Sequence, residues 1–237
     1  METKKYKLTE EIIIVAFRTL HRIEALKDFG DVKQGDKGGY VENEDNLSQC
    51  GNCWVYDNAE VYGCARVCND AEVCDDAEVF DNAIVCDNAQ VYGNAEVFGN
   101  AEVFGNAVVC GYSKVYCNAV VCGYAKARNE AKVHGNADIR GDAEITADTD
   151  YIVFKNWWSS GRFFTCTKSN NMWSVGCFYG TSNELIEKAY KDSKLSGNEY
   201  KRVVDYVNSI LNVNEYDNIR KNIKERLLSK MRKLFGK

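Results

Sequence analysis

The sequence predicts a mainly β protein organised around a parallel β-helix, and three observations predict it. First, a six-residue period runs unbroken from Trp54 to Ile145. Its first position, at 55, 61, 67 and every sixth residue to 145, is Val thirteen times, Ile twice and Ala once. Second, Ala stands four residues after each of these from Ala59 to Ala143, with Ser113 the one exception. Third, turn formers fill the gaps, as in Asp57-Asn58, Asp81-Asn82, Gly93-Asn94, Gly99-Asn100 and Gly135-Asn136. A helix would need apolar positions every 3.6 residues, and a long half-buried strand would need strict alternation. A short strand followed by a sharp corner accounts for all three instead. The β-branched residue suits a pleated surface. Ala leaves room at the corner, and Gly, Asn and Asp tolerate the left-handed backbone that a corner demands. The chain has no Pro, which suits coils whose every backbone N–H is needed in the ladder.

The hexads resemble those of the hexapeptide-repeat, left-handed β-helix family, whose triangular coils take three hexads each. That resemblance implies about five coils, stacked at roughly 4.8 Å like neighbouring strands. With 18 residues per coil, the side chains just after each inward residue fall into three outward columns. One holds Tyr62, Phe80, Phe98, Tyr116 and His134. Another holds Cys68, Cys86, Phe104, Cys122 and Arg140, flanked by Ile84 and Val120. The third holds Tyr56, Cys74, Tyr92, Cys110 and Arg128. So much apolar surface on a sheet face marks an interface. A homotrimer contact, the docking site of the C-terminal segment and a ligand-stacking face are the three uses to weigh.

At 237 residues the chain has room for a repeat domain and a smaller appendage. No stretch has the length and apolarity of a membrane span, and METKKYKLTEE lacks a signal-peptide core. The expected place is the cytoplasm of a bacterial host. There the eleven Cys are expected as free thiols, although Cys68 and Cys86 sit on adjacent coils at bridging range. Cys50-Gly-Asn-Cys53 has metal-ligand spacing but no second pair or nearby His, so neither metal nor cofactor is expected. Charge is asymmetric. Residues 1–150 carry 14 Lys and Arg against 27 Asp and Glu, while residues 151–237 carry 16 against 8. An acidic body with a basic tail is the mark of an interaction protein, although acidic corners also keep a stack of strands soluble.

In chain order, residues 1–46 read as a cap over the open coil end, with a strand at Glu11–Val15 and a strand or helical turn at Leu20–Leu26. Residues 47–148 form the β-helix. Residues 149–237 read as a small α+β domain with strands at Tyr151–Lys155, Arg162–Thr167 and Met172–Tyr179. Thr181-Ser-Asn-Glu184 matches a capping box that opens a helix, followed by helices over about Asn198–Asn212 and Asn214–Leu234. Trp157, Trp158, Arg162 and Trp173 cluster in sequence and could stack a nucleotide, or simply form the core of the small sheet. In the last helix Ile219, Ile223, Leu227 and Met231 recur every four residues, with Lys230, Arg232 and Lys233 beside them. Such a basic amphipathic helix suits nucleic acid, an acidic protein or a membrane surface.

The run LHRIEALKDFGDVKQGDKGGYVENEDNLSQCGNCWVYDNA, with the Ala-x-Val repeats after it and the tail VFKNWWSSGRFFTCTKSNNMWSVGCFYGTSNELIEKAY, resembles a transferase-like hexapeptide-repeat family carried by bacteriophages and prophages. That resemblance implies phage origin and an α+β tail, but no reaction. The resulting expectation is a non-catalytic interaction protein that inhibits a host defence factor, a nucleic-acid-targeting nuclease or nucleotide signal. Its partner would be a host protein or nucleoprotein complex. Two alternatives stand beside it. One is a CoA-dependent acyltransferase with His134 as base, weakened by a count of two His and an uninterrupted repeat. The other is a structural virion component.

Overall fold

The structure, a computed structural model, describes residues 4–210. Sixteen short strands, β4 to β19, run from Trp54–Val55 to Glu144–Ile145. Strands three apart pair in parallel with an 18-residue offset, Val91 lying between Val73 and Val109, and Val97 between Val79 and Val115. The coils therefore close in three hexads, and the inward Val, Ile and Ala residues fill a fully buried core. One of the three walls has six strands, so the solenoid makes about six turns. Counting hexads alone gave fewer because the coil begins before the repeat is regular. Strand β3 (Lys37–Val41) already pairs in parallel with β5 (Glu60–Val61).

From Asp57 to Gly141, each corner residue two positions after an inward residue takes a left-handed backbone. It is Gly at 63, 93, 99, 105, 111, 123, 135 and 141, and Asp or Asn at most others. An Asp corner adds a bond between coils: the carboxylates of Asp75 and Asp81 accept from the N–H of Gly93 at 2.9 Å and Gly99 at 3.2 Å. Cys117 holds a corner at φ 65° with neither device, where an L side chain is strained. Cys117→Gly is expected to stabilise the fold by about 0.5–1 kcal/mol in urea denaturation; a loss of stability would contradict this. Ser113, the break in the Ala series, is fully buried, and its hydroxyl donates to Cys110 O at 2.8 Å and lies 3.2 Å from Ala127 O.

At the N-terminal end β1 (Tyr6–Val15) and β2 (Arg18–Ala25) form a hairpin that extends the same wall through β3. At the other end, four antiparallel strands cover the last coil: β20 (Tyr151–Lys155), β21 (Phe163–Thr167), β22 (Met172–Val175) and β23 (Phe178–Gly180). The expected third strand is two, because Gly176 turns the chain at φ 57°. The last coil has no next coil to bond, so side chains serve instead. Asp138 N donates to Thr165 Oγ1 at 2.9 Å, Glu144 N to Ser169 Oγ at 2.8 Å, and Tyr151 Oη donates to Lys132 O at 3.0 Å.

The chain divides into two compact units between Gly180 and Thr181, with the four-stranded sheet in the same unit as the coils. In the second unit, α1 (Ser182–Asp192) starts at the expected capping box, where Thr181 N donates to Glu184 Oε2 at 2.8 Å. A second helical run covers 194–210. It starts earlier than the expected Asn198 because Ser193 Oγ accepts from Ser196 N at 3.0 Å and caps it. The expected third helix, with Lys230, Arg232 and Lys233, lies outside the described residues.

Candidate functional site

Parallel pairing in register stacks identical positions one coil apart, so planar side chains just after the inward residues lie face to face. Ring centroids are 5.1 Å apart from Tyr62 to Phe80, 4.8 Å from Phe80 to Phe98, 5.0 Å from Phe98 to Tyr116 and 5.2 Å from Tyr116 to His134. The first three pairs are parallel within 4°. Offset stacks of this spacing contribute about 0.5–1.5 kcal/mol per pair beyond buried area. Exposure rises along the ladder. Leu20, Ile13, Val15 and Tyr40 of the N-terminal strands pack over Tyr62 and Phe80. Phe98 and Tyr116 are half-buried, and His134 is exposed.

His134 closes the ladder. Its ring meets Tyr151 edge-on at 6.3 Å, and its backbone N–H donates to Tyr151 Oη at 3.1 Å. Among the described residues its ring nitrogens make no hydrogen bond, so both are open to a ligand. The other imidazole, His21, is engaged, with Nδ1 3.0 Å from Thr9 O. Beside the ladder runs a charged column that changes sign, from Glu60, Glu78 and Glu96 to Lys114 and Lys132. Lys114 pairs with Glu96 at 2.6 Å, and Tyr62 Oη donates to Glu78 Oε2 at 3.0 Å.

Burial, reinforced by Glu78 and Asp76, pushes the Glu60 carboxyl up to about 7. Folded Glu60 thus holds its proton more tightly than the unfolded chain does. Stability is greatest below the ordinary carboxyl value, falls as pH rises toward 7, and falls no further beyond it. Glu60→Gln is expected to flatten this decline in denaturation curves taken between pH 4.5 and 8. A variant curve parallel to the wild type would refute the assignment.

The tail aromatics disperse. Trp173 is buried against Phe164 at 5.9 Å, and Trp158 meets the same ring edge-on at 6.2 Å. Trp157 projects with 80% of its surface exposed, and Arg162 is exposed beside Gly176. In the other two columns the Cys68 thiol interacts with the Cys86 thiol, and the Tyr92 hydroxyl with the Cys110 thiol. Among the described residues no three His, Cys, Asp or Glu side chains converge as a metal site, and no helix is long and apolar enough to cross a membrane. Tyr151 was read only as a strand residue because it lies 17 residues from His134, one short of the coil period. The buried Lys5 carried no periodic signal at all.

No known protein-family profile matches the chain. Over 62 residues it is 39% identical to the uncharacterized acetyltransferase YdcK of Escherichia coli (strain K12). The match covers 23% of this chain and 19% of that protein, about a fifth of the relative's length. Repeat, register and relative together fit the hexapeptide-repeat β-helix family.

Proposed function

We propose that the protein is an acyltransferase that uses a coenzyme A thioester, with His134 as general base. The observation that carries this reading is the 39% identity over 62 residues to a protein described as an acetyltransferase. This favours the alternative weighed from the sequence over the expectation of a non-catalytic inhibitor. The site adds an exposed imidazole with both nitrogens open, beside half-buried rings and the basic end of a charged column. In the reaction His134 takes the proton of the acceptor nucleophile as it attacks the thioester carbonyl. The coenzyme A thiolate then leaves. Three copies would enclose this flat face, as trimers of such coils do.

The test is release of coenzyme A from acetyl-CoA, followed by chromatography because the protein's own thiols would consume a thiol dye. His134→Ala and His134→Asn are each expected to lower turnover by about 10²–10⁴-fold. The reading fails if the wild type neither releases coenzyme A nor binds acetyl-CoA in calorimetry.

A second reading, the phage-borne interaction protein directed at a host defence factor, is favoured by one observation. No carboxylate orients the His134 ring among the described residues, whereas a catalytic imidazole is usually held by a third group. Here the Phe98–Tyr116 face would be the contact. A host-protein complex recovered from lysate and lost in Phe98→Ser/Tyr116→Ser would support it over acyl transfer.

A further inference from the structure

The Cys50-Gly51-Asn52-Cys53 segment lies where the coil is still irregular. Leu47 bridges Val67, twenty residues on, whereas Trp54 pairs with Glu72, eighteen residues on. The stretch between therefore holds two residues more than the coil beside it and bulges outward. Gly51 allows this at φ 71°, and Ser48 Oγ accepts from Cys50 N at 3.1 Å. The two thiols are placed unequally. Cys50 is exposed, while Cys53 is fully buried with its Sγ folded back to 3.7 Å from the carbonyl oxygen of Cys50. That distance sets the buried sulfur beside the Cys50 backbone, with Ser48 O at 3.6 Å and Val67 O at 3.7 Å.

A buried cation faces the inner thiol. Lys5 is 1% exposed, and its Nζ donates to Cys53 O at 2.8 Å and Cys53 Sγ at 3.2 Å, with Gly51 O at 3.4 Å. The three acceptors around the ammonium offset the cost of burying it. An open groove of about 580 Å³ runs alongside, lined by Lys5, Lys27, Phe29, Gln49, Cys50 and Asn52. Gln49 Oε1 accepts from Lys5 N at 2.7 Å, while its buried Nε2 has no partner among the described residues.

We infer that Cys50 and Cys53 form a redox-active dithiol, oxidised by small disulfides that enter this groove, with Lys5 holding the resolving thiolate. Cys50 loses its proton to solvent, and its thiolate attacks one sulfur of the incoming disulfide. The S–S bond breaks and the first small thiolate leaves and takes up a proton. Cys53 then gives up its proton and its thiolate, facing the Lys5 ammonium, attacks the Cys50 sulfur. The mixed disulfide breaks and a second small thiol leaves. One disulfide is reduced to two thiols, and the Cys50–Cys53 dithiol is oxidised to one disulfide. Burial pushes the Cys53 thiol up, and the Lys5 charge pulls it the other way, the pairing that makes a buried resolving cysteine usable. This chemistry is independent of acyl transfer.

The experiment uses the full chain in buffers of graded oxidised to reduced glutathione, quenched by alkylation and read by peptide mass spectrometry. The expected result is reversible loss of two hydrogens from the peptide carrying Cys50 and Cys53. Cys53→Ser should trap glutathione on Cys50, and Cys50→Ser should leave Cys53 unreacted. Lys5→Met should slow resolution of the mixed disulfide on the order of tenfold, the effect of one pKa unit on the thiolate, and Lys5→Arg should restore it. Should Lys5→Met fail to fold, the Cys53→Ser trap decides. The proposal is overturned if both cysteines alkylate at every ratio, if wild-type Cys50 stops at the mixed disulfide, or if it pairs with Cys68.

Discussion

Deleting residues 91–108 is expected to yield a folded, shorter protein, while deleting residues 92–108 is expected to abolish folding. The first deletion removes one whole coil. Gln90 is joined to Val109, which takes the place of Val91, its own partner in the ladder. Tyr116 then stacks on Phe80, and every inward position downstream stays inward. Each coil contacts only its neighbours, so the loss is one coil's contribution and the unfolding transition stays cooperative. The second deletion differs by one residue and shifts Val109, Val115, Val121, Ala127, Val133, Ile139 and Ile145, all fully buried, off the inner face. A one-residue slip turns a strand's side chains to the opposite face. Exposing the six Val and Ile residues among them at about 1.5–3 kcal/mol each costs roughly 9–18 kcal/mol, enough to cancel the 5–15 kcal/mol that holds a typical domain together. Far-UV circular dichroism and thermal melting separate the two outcomes. Equal behaviour of the two deletions would refute the 18-residue coil as the unit of folding.

Trp54→Ala is expected to cost about 3–5 kcal/mol, the largest effect of any single substitution considered. Trp54 is 1% exposed and takes Tyr6 edge-on at 6.1 Å and Phe29 at 5.3 Å. Its packing is tight enough that a Cβ on Gly38 would meet its ring at 2.7 Å. The indole thus joins three separate stretches of the N-terminal cap to the first coil. Tyr6 strengthens the joint, since its hydroxyl donates to Leu47 O at 2.7 Å. Removing the ring leaves a cavity that rigid coil walls cannot collapse into. Chemical denaturation measures the loss, and hydrogen exchange should show protection falling first in residues 4–46. A cost below about 1 kcal/mol would show that the cap does not depend on this side chain.

Much of the candidate site was legible in advance. The column from Tyr62 to His134 follows from the period of six in the sequence and the three-hexad closure that the family resemblance implies, and the rings stand stacked where that arithmetic puts them. The helix start at Thr181 was equally legible, because a capping box is a local exchange of hydrogen bonds. Other parts were not. The strand expected over Glu11–Val15 is longer and pairs into the coil wall, and nothing in its own residues names that partner. Trp157, Trp158 and Trp173 look alike in sequence, but their burial depends on which side of a four-stranded sheet each falls.

What the sequence determined by itself was the hexad: its period, inward residues, corners and outward-facing positions. A repeat imposes the same local conditions on every hexad, so each copy restates the answer. What only the tertiary structure decided was the pairing of parts that share no period. The hairpin over the first rings, Tyr151 beneath His134 and Lys5 against Cys53 all join residues through contacts that no local rule encodes. Lys5 and Cys53 stand 48 residues apart, and their meeting depends on how the cap strand closes over the first coil. That closure is set by burial of Tyr6, Phe29 and Trp54 together, a property of the assembled core.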